Sequence, residues 1–357
     1  MISNRPAIIT VLNYYYFTSQ FLSAYICLMR IPFEQLKAEF KRVLTNRNFP
    51  EDKADQCATV FAENSRDGVY THGLNRFPTF VRYIKEGVIN ADAAPIKIST
   101  FGAIEQWDGN FGAGILNARF CMDRAISLAK ENGIGCVAIK NTNHWMRGGT
   151  YGWQAAEAGY ISINFTNTVA NVAPWGGTTP TLGNNPLVIA VPRKEGHVVL
   201  DMAISQFSFG KMLQYESYNE QLPVPGGYDN DGNLSTDPTA VMASKRILPI
   251  GFWKGSGLTL VLDLLATILS QGRSVKQITE RGTESGVSQV FIAIKPQDTQ
   301  QTADLIEEIL TYAKSSDRID ADKPISYPGE NTLRTRNKNI KEGVLVDEKI
   351  WAEVQGL

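Results

Sequence analysis

The sequence predicts a mixed α/β fold, and three observations indicate it. Two segments after Met29 carry apolar residues at helical spacing. Residues 96–140 contain a predicted strand, a helix and a second strand in succession. Residues 160–205 consist of short apolar runs of strand length, separated by turns. We therefore expect a helical beginning followed by a β-rich middle.

The composition excludes several classes of protein. The chain has 357 residues, 43% of them hydrophobic and 20% charged, with a net charge of -1, which is typical of a globular protein of two or three domains. Lys and Arg are spread along the chain and balanced by acids, so no broad basic surface is expected to bind nucleic acid or an anionic membrane. The three histidines are too scattered for a zinc cluster, and no CxxC pair occurs among the cysteines, which are Cys27, Cys57, Cys121 and Cys136. We expect no metal and a reducing, cytoplasmic location.

The N-terminus resembles a signal peptide or a membrane anchor, because no charged residue occurs from Pro6 to Met29. Polar residues such as Asn13 and Gln20 interrupt this run, and no Ala-x-Ala cleavage site follows. A helix-like pattern begins directly at Met29. We therefore expect that Met29 is the initiator and that residues 1–28 are not part of the enzyme.

Three helices are predicted in the first hundred residues. Apolar spacing indicates helices at Phe33–Asn46 and Glu51–Asn64. A third is expected at Gly73–Glu86, with Thr71 as its N-cap and Pro78 in its first turn, where proline is tolerated. The free N–H groups at the start of this helix would attract a substrate anion and lower the pKa of a neighbouring histidine.

The next segments form a predicted strand–helix–strand unit, Ile96–Ile104, Ile115–Asn132 and Gly135–Lys140. The glycine-rich turn Gly109–Gly114 resembles a dinucleotide-binding turn. Its glycine order is GxxGxG instead of GxGxxG, and no ribose-binding acid follows the second strand, so a Rossmann fold is disfavoured. Further strands are predicted at Tyr160–Phe165, Pro186–Val191 and Val198–Met202.

The last part of the chain is predicted to alternate loops and helices. Residues 206–245 contain paired prolines and glycines and the motif Asp229–Asn233, which resembles a calcium loop but lacks its glycine and glutamate spacing, so a surface turn is expected there. Leu258–Ser270 is apolar around much of its circumference, which predicts a buried helix. The remaining predicted elements are a strand at Val290–Ile294, a helix at Thr302–Lys314, a polar loop at Tyr327–Asn331 and a helix at Val344–Val354.

Two histidines are candidate functional residues. His72 precedes Arg76 by four residues, a spacing that places both side chains on one face of a helix. Reduction of a 2-keto acid needs such a pair, because the carboxylate must be held while the new alkoxide receives a proton. His144 lies in the polar, glycine-rich stretch Asn141–Gly149, which is typical of an active-site loop. The third histidine, His197, is expected to be structural, and a hydrogen-bonded structural histidine is the alternative for the others.

Asp201 and Lys254 are further candidates with open alternatives. Asp201 closes an apolar strand, so it is either a buried hydrogen-bond anchor or the acid that raises the pKa of a histidine. Lys254 stands just before the predicted apolar helix. It could hold a cofactor phosphate, form a Schiff base with pyridoxal phosphate, or be a solvated lysine. A pyridoxal phosphate enzyme and a binding protein without activity are therefore rivals to a dehydrogenase.

Several separated motifs, in the right order, resemble the second family of malate/L-lactate dehydrogenases, which is unrelated to the Rossmann-type enzymes. The motifs are Thr71–Arg76, Asn143–Gly149, Gly183–Pro186, Leu200–Ala203 and Trp253–Gly257. The resemblance covers Met29 to Leu357. Two further segments, Gly102–Asp108 and Arg246–Pro249, are similar to a branch of this family that reduces a diketo sugar acid.

The resemblance implies a fold and an assembly. The expected fold is an NADH-binding sheet of mixed direction, packed with a helical domain built from both chain ends, in a homodimer. The implied division is an N-terminal extension, a helical substrate and dimerisation region, a β-rich cofactor-binding domain, and a C-terminal region that packs back on the N-terminal helices. These parts correspond to residues 1–28, 29–100, 101–245 and 246–357.

The resemblance also implies site residues. His72 matches the proton donor of the family, Arg76 the residue that meets the substrate carboxylate, and Asp201 the acid that orients the histidine, while His144 is expected to bind a substrate oxygen. The implied cofactor is NAD, with NADPH as the alternative to NADH. Its expected contacts are His197, Val198, Val199, Leu200, Asp201, Met202, Ala203, Trp253, Lys254, Gly329, Glu330 and Asn331.

The implied reaction is reduction of a 2-keto sugar acid. Malate, lactate, ureidoglycolate, sulfolactate or a cyclic imino acid are alternative substrates within the family. Glu330 stands where a histidine is expected in the most similar members, so this cofactor contact departs from the family pattern.

Overall fold

The structure is a computed structural model that describes residues 28–357. The expectations about a signal-like segment and about Cys27 fall on residues outside this part of the chain. Leu28 and Met29, at the boundary, belong to the first strand.

The helices run in chain order as follows: α1 Phe33–Thr45, α2 Glu51–Arg66, α3 Phe77–Lys85, α4 Gly114–Asn132, α5 Gly149–Glu157, α6 Phe209–Ser217, α7 Pro238–Ser244, α8 Trp253–Ser270, α9 Val275–Glu280, α10 Gln300–Lys314, α11 Glu330–Glu342 and α12 Glu348–Gln355. The strands are β1 Leu28–Ile31, β2 Ile96–Phe101, β3 Ile104–Asp108, β4 Ile134–Asn143, β5 Ile161–Thr166, β6 Ala170–Val172, β7 Leu182–Gly183, β8 Leu187–Val191, β9 Val198–Met202, β10 Gly227–Tyr228, β11 Leu234–Ser235, β12 Arg246–Ile247, β13 Ser285–Ile294 and β14 Val344–Asp347.

The first three helices form an aromatic core. α1 buries Phe40, which stands 4.3 Å from Phe77 of α3 and 5.9 Å from Phe61 of α2 between ring centroids. The predictions of α1 and α2 are confirmed, because apolar residues at helical spacing face this core. Pro78 lies in the first turn of α3, as predicted.

The two ends of the described chain meet. β1 pairs antiparallel with β14, and α12 packs against α1 and α3. The prediction of a helix over Val344–Val354 is therefore wrong in its first turn. Val344 and Val346 are both buried, which is the alternation of a strand, and Asp347 then caps α12 by accepting the backbone N–H of Lys349.

The largest sheet has seven strands in the order β2-β3-β4-β13-β5-β8-β9. Only β3 and β4 are parallel in it, and α4 connects them, so the mixed sheet and the strand–helix–strand unit are confirmed. The predicted single strand Ile96–Ile104 is instead a hairpin of β2 and β3. Gly102, at φ +57°, makes its turn, a backbone conformation that glycine adopts without steric cost.

A smaller sheet has the order β11-β10-β12-β6-β7. The stretch 206–245 contains α6 and α7, which the sequence analysis did not predict. The surface turn predicted at Asp229–Asn233 is confirmed, because it joins β10 to β11 and the Asp229 N–H donates to the Asn233 carbonyl. Both helices are short, and each begins at a capping side chain, Ser208 for α6 and Asp237 for α7. They pack on a small apolar cluster of Met212, Leu222, Val241 and Ile247, which forms only when the chain folds back on itself.

α8 begins earlier than predicted and is buried on one side only. Leu262 and Ala266 pack into the sheet, whereas the opposite side of α8 exposes a row of apolar residues. These are Leu260, Val261, Leu264, Leu265 and Ile268. The prediction of a fully buried helix is wrong for the single chain. A large apolar surface of this kind is typical of a protein interface.

The polar loop predicted at Tyr327–Asn331 leads into a helix that the sequence analysis did not predict. α11 is strongly polar, and Asn339 is its one buried residue. Gly329, at φ +97°, is its N-cap. Because α11 has no apolar stripe, hydrophobic periodicity does not reveal it.

Candidate active site

His72 lies in a short 3-10 turn, Tyr70–His72, and not at the start of a long helix. The predicted third helix is present as α3, but it begins at Phe77, so its predicted start at Gly73 with Thr71 as N-cap is wrong. The backbone at Gly73 packs directly against Ser65 of α2, where a Cβ atom would clash, and this contact interrupts the helical path. Thr71 Oγ1 lies 3.1 Å from Nδ1 of His72 instead, which leaves Nε2 of His72 for another partner.

The fold brings His72 and His144 together. Their rings are stacked, with centroids 5.7 Å apart and planes 13° from parallel. His144 follows β4 directly, and its Nδ1 accepts the backbone N–H of Met146 at 2.9 Å. An accepting Nδ1 places the ring proton of neutral His144 on Nε2, which can donate a hydrogen bond.

Both histidines are neutral in the free protein. Burial, together with the charges of His144, Arg76 and Arg147, lowers the pKa of His72 to about 3. Burial also lowers the pKa of His144 to about 3, again with a contribution from Arg76. The direction for His72 agrees with the sequence prediction, but the cause is burial beside cations and not a helix terminus.

Arg76 stands beside the two rings as the N-cap residue of α3. Its Nη2 lies 3.7 Å from Oε2 of Glu284, in the loop before β13. Ser285, the next residue, pairs with Asn143, which directly precedes His144. Three distant segments therefore converge, and they carry His72 with Arg76, His144, and Glu284. The sequence analysis missed Glu284, because no motif surrounds it and only the pairing of β13 with β4 brings it here.

Asp201, on β9, contacts a different partner from the expected one. Its Oδ2 accepts the backbone N–H of Gly149 at 2.8 Å, at the start of α5, and lies 3.9 Å from Nε of Arg147. Burial raises the pKa of Asp201, whereas Arg147 and the Gly149 N–H lower it. Within residues 28–357, no hydrogen bond joins Asp201 to His72. The geometry is that of a hydrogen-bond anchor for the loop that carries His144.

A buried ion cluster, which the sequence analysis also missed, fixes Arg147. Asp67 has a side chain only 2% exposed, and its oxygens accept hydrogen bonds from Arg66, Arg147 and Arg336 at 2.7 to 3.0 Å. Burial alone would raise the pKa of Asp67, but the hydrogen bonds and charges of these arginines hold it below its usual value. Arg147 therefore has a fixed position between Asp67 and Asp201.

Two of the segments expected to contact a cofactor lie side by side. Gly329 packs so closely on the start of β9 that a Cβ there would lie 2.9 Å from the His197 carbonyl oxygen. The backbone N–H of Val199 donates to the Pro328 carbonyl at 2.9 Å. Residues 329–331 and the segment from His197 to Ala203 therefore share one edge of the large sheet.

The third expected segment adjoins the far end of β9. The backbone N–H of Ile250 donates to the carbonyl of Ile204 at 2.8 Å, and Trp253 and Lys254 follow three and four residues later, both exposed. Residues 329–331 thus adjoin the start of β9, and Trp253 and Lys254 follow a segment that is hydrogen-bonded just beyond its end.

Two side chains expected to contact the cofactor, those of His197 and Glu330, already have partners within the chain. His197 accepts the backbone N–H of Arg193 through Nδ1 at 3.0 Å and stands edge-on to Trp153, which is consistent with a structural histidine. Glu330 forms an ion pair with Lys314 at 2.6 Å, so its side chain already has a partner within the chain.

The surroundings of Trp253 and Lys254 have the chemistry of a dinucleotide site. The exposed rings of Trp175 and Phe252 lie 5.2 Å apart. α8 begins there, and the backbone N–H groups of Lys254 and Gly255 in its first turn donate to the carbonyls of Gly251 and Ile250. A cavity of about 380 Å³ lies beside these rings and includes Arg246 in its lining. Aromatic faces and cations fit a nicotinamide dinucleotide.

Other kinds of site are not found in the described part of the chain. Residues 28–357 contain no group of three or more His, Cys, Asp or Glu side chains arranged to hold a metal ion. In the same range, no helix has the length and apolar character needed to cross a membrane. Cys57, Cys121 and Cys136 are buried free thiols.

Comparison with known proteins gives the same assignment as the motifs. The sequence profile of the malate/L-lactate dehydrogenase family matches residues 31–355. A 2,3-diketo-L-gulonate reductase from Escherichia coli O6:K15:H31 is 46% identical over 333 residues, which cover 92% of this chain and 100% of the relative.

The chain belongs to the malate/L-lactate dehydrogenase family. It is therefore an oxidoreductase, as the relatives of this family are.

Solved structures of the family share the fold. Malate dehydrogenase from Entamoeba histolytica superposes with a TM-score of 0.87 at 25% identity, covering 92% of this chain and 97% of the neighbour. Sulfolactate dehydrogenase from Methanocaldococcus jannaschii superposes with a TM-score of 0.82 at 29% identity, covering 92% of this chain and 98% of the neighbour. The mixed sheet that the resemblance implied is thus a family property, and the expectation against a Rossmann fold is confirmed.

Proposed function

We propose that this protein is an NADH-dependent reductase that transfers a hydride to the C2 carbonyl of 2,3-diketo-L-gulonate and forms 3-keto-L-gulonate. The observation that carries the proposal is the convergence of His72, His144 and Arg76, two hydrogen-bonding imidazoles and one cation. This is the set of groups that reduction of a 2-keto acid requires. The substrate follows from the relatives of the same name at 46% identity.

NADH would be held along β9. The backbone from His197 to Ala203 and residues 329–331 would contact one part of it, and Trp253 with Lys254 the other. Bound NADH supplies the hydride, and the protein supplies orientation and electrostatics. NADPH remains the alternative donor.

Arg76 would bind the carboxylate of the substrate. Its guanidinium is 32% exposed and makes only a 3.7 Å ion pair, so both of its outer nitrogens can approach a carboxylate. A planar guanidinium and a carboxylate form two parallel hydrogen bonds, which also fix the direction of the adjacent C2 carbonyl. With the carboxylate on Arg76, that carbonyl would lie near the Nε2 atoms of the two imidazoles.

His72 would donate the proton. The donor form is the imidazolium. Because the pKa of about 3 keeps free His72 neutral, the ring would take up a proton from water when the substrate binds and then give it to the carbonyl oxygen. Two effects raise the pKa of this imidazole. The substrate carboxylate offsets the charge of Arg76, and negative charge develops on the carbonyl oxygen as the hydride arrives. Nε2–H of His144 would hydrogen-bond the same oxygen. Asp201 would act through Arg147, whose positive charge it partly offsets, since its hydrogen bonds do not include His72.

We also propose that the protein is a homodimer and that it acts in a reducing cytoplasm. The apolar row on α8 and the exposed Ile96, Ile98 and Phe101 of β2 are surfaces that a second copy would cover. The division into a helical part from both chain ends and a β-rich cofactor part belongs to the same proposal. Sedimentation equilibrium should give twice the mass of one chain, and a monomer at micromolar concentration would contradict this.

The proposed function is tested with a panel of 2-keto acids and both nicotinamides. The panel contains 2,3-diketo-L-gulonate, oxaloacetate, pyruvate, 3-sulfopyruvate and a cyclic imino acid, each with NADH and NADPH. We expect the highest kcat/KM for 2,3-diketo-L-gulonate with NADH. A higher value for another keto acid would change the substrate, and no oxidation of either nicotinamide with any compound would refute the proposal.

A further inference from the structure

One acidic side chain of the site has no part in the mechanism above. Glu284 lies between α9 and β13, and its side chain is 18% exposed. The register of β13 against β4 places Ser285 opposite Asn143, so Glu284 stands at the strand end from which His144 emerges. It therefore borders the space in which the proposed substrate would lie.

The carboxylate of Glu284 has free hydrogen-bonding capacity. Its nearest cation, Arg76, is 3.7 Å away, beyond hydrogen-bond distance. Among residues 28–357, no side-chain or backbone donor forms a hydrogen bond with either oxygen of Glu284. An ionised carboxylate is an acceptor with about four lone-pair positions. Leaving such a group partly buried without donors is unfavourable, so a ligand that brings donors is favoured.

The charges of the site restrict which ligand fits. His72 and His144 are neutral, which leaves Arg76 and Glu284 as the charged pair of the site. Burial raises the pKa of Glu284 and the charge of Arg76 lowers it, so the proposal takes Glu284 as the ionised partner of Arg76. Arg76 can neutralise one carboxylate of a substrate. A second anionic group close to Glu284 would meet a like charge in a partly desolvated place, which is strongly unfavourable.

We propose that Glu284 selects the substrate class. Its carboxylate accepts hydrogen bonds from hydroxyl groups on the tail of a 2-keto acid, and it repels a second anionic group at the same position. The inference rests on the proposed function, in which Arg76 holds the C1 carboxylate. The favoured class is a singly charged, polyhydroxylated keto acid, and dicarboxylic or sulfonated keto acids are disfavoured.

The test compares three substrates in the wild type and in Glu284→Gln. These are 2,3-diketo-L-gulonate, which has hydroxyl groups, oxaloacetate, which has a second carboxylate, and pyruvate, which has neither. Pyruvate is the internal reference, because any change that acts through Arg76 alters its kcat/KM as well. For Glu284→Gln we expect the ratio of kcat/KM for oxaloacetate to that for pyruvate to rise about tenfold, since a like charge is removed. The ratio for 2,3-diketo-L-gulonate to pyruvate should fall about tenfold, since hydrogen bonds to a charged acceptor are lost.

Glu280→Gln is the matched control. It removes the same charge four residues away, from an exposed carboxylate that pairs with Lys276, and both ratios should stay at the wild-type values. Glu284→Asp keeps the charge and shortens the side chain. In this variant oxaloacetate should remain disfavoured, while the diketogulonate ratio falls, which preserves the test if Glu284→Gln does not fold.

Two results would overturn the inference. Equal changes of kcat/KM for all three substrates in Glu284→Gln would show that Glu284 only positions Arg76. A Glu284→Asp variant that prefers oxaloacetate would show that a negative charge at position 284 does not exclude a substrate with a second carboxylate. Failure of the proposed function has a different signature, because the wild type itself would then reduce none of the three compounds.

Discussion

The stacked histidines should make the protein sensitive to mild acid. In the unfolded chain each has a pKa near 6.5, whereas in the folded protein the values for His72 and His144 are about 3. Between these limits the unfolded state binds more protons than the folded state, so the free energy of unfolding falls as the pH is lowered through this range. At pH 7 the effect is almost absent, because both states are then largely unprotonated at these rings.

The magnitude follows from the two pKa values. At pH 5, a histidine with a pKa of 6.5 unfolded and about 3 folded contributes a loss of up to about 2 kcal/mol relative to pH 7. Two such rings give up to about 4 kcal/mol, a large part of the stability of a typical domain. pH 5 is also above the range in which paired carboxylates such as Glu105, with a pKa of about 2, begin to be protonated.

The assay is urea unfolding at pH 7, 6 and 5, at one fixed protein concentration, for the wild type and for His72→Asn combined with His144→Asn. Asparagine keeps a polar group in place but does not titrate. The wild type should lose up to about 4 kcal/mol more than the double variant between pH 7 and pH 5. His197→Asn is the control, and it should keep most of the wild-type pH dependence. Equal losses in the wild type and the double variant would refute the reasoning.

Three further predictions concern single side chains. His72→Ala should lower kcat about 10²–10⁴-fold, because general acid catalysis is lost, while the Kd for NADH from fluorescence titration stays nearly unchanged. Arg76→Lys should raise the KM for 2,3-diketo-L-gulonate about tenfold with little change in the Kd for NADH, because a point charge cannot replace two parallel hydrogen bonds. Asp67→Asn should lower the free energy of unfolding in urea by about 3 kcal/mol, since it leaves three arginines around a neutral side chain.

The outcomes that would contradict these predictions are distinct. Normal turnover in His72→Ala would exclude it as proton donor. An unchanged KM in Arg76→Lys would remove Arg76 from the carboxylate site. Asp55→Asn, which neutralises an exposed carboxylate next to Lys37, serves as the control for Asp67→Asn, and equal stabilities of the two variants would contradict the importance of the buried cluster.

Local patterns predicted part of the fold well. α1, α2, α4 and the strands β4, β5, β8, β9 and β13 follow from apolar spacing, since each has residues that are buried in the final structure. The patterns failed where local and tertiary preferences differ. Gly102 divides one predicted strand into a hairpin, and α11 is a helix without an apolar stripe.

The candidate site was likewise predicted only in part from local patterns. His72 and Arg76 are four residues apart, so their pairing is visible in one motif. Glu284 and Asp67 are hidden in the sequence, because their partners lie far away along the chain and no local pattern marks a long-range ion pair. The partner of Asp201 was predicted from the resemblance, and the structure instead shows Gly149 and Arg147 beside it.

The sequence by itself determined the family, the helical and β-rich parts, and the residue types available for proton transfer and anion binding. These depend on short motifs and on periodicity, which are local properties of the chain. Only the tertiary structure decided that both imidazoles are neutral, that Glu284 faces Arg76, and that α8 leaves an apolar surface exposed. The physical reason is that burial and charge proximity arise from contacts between distant segments, and these set the pKa values and free hydrogen-bonding groups of a site.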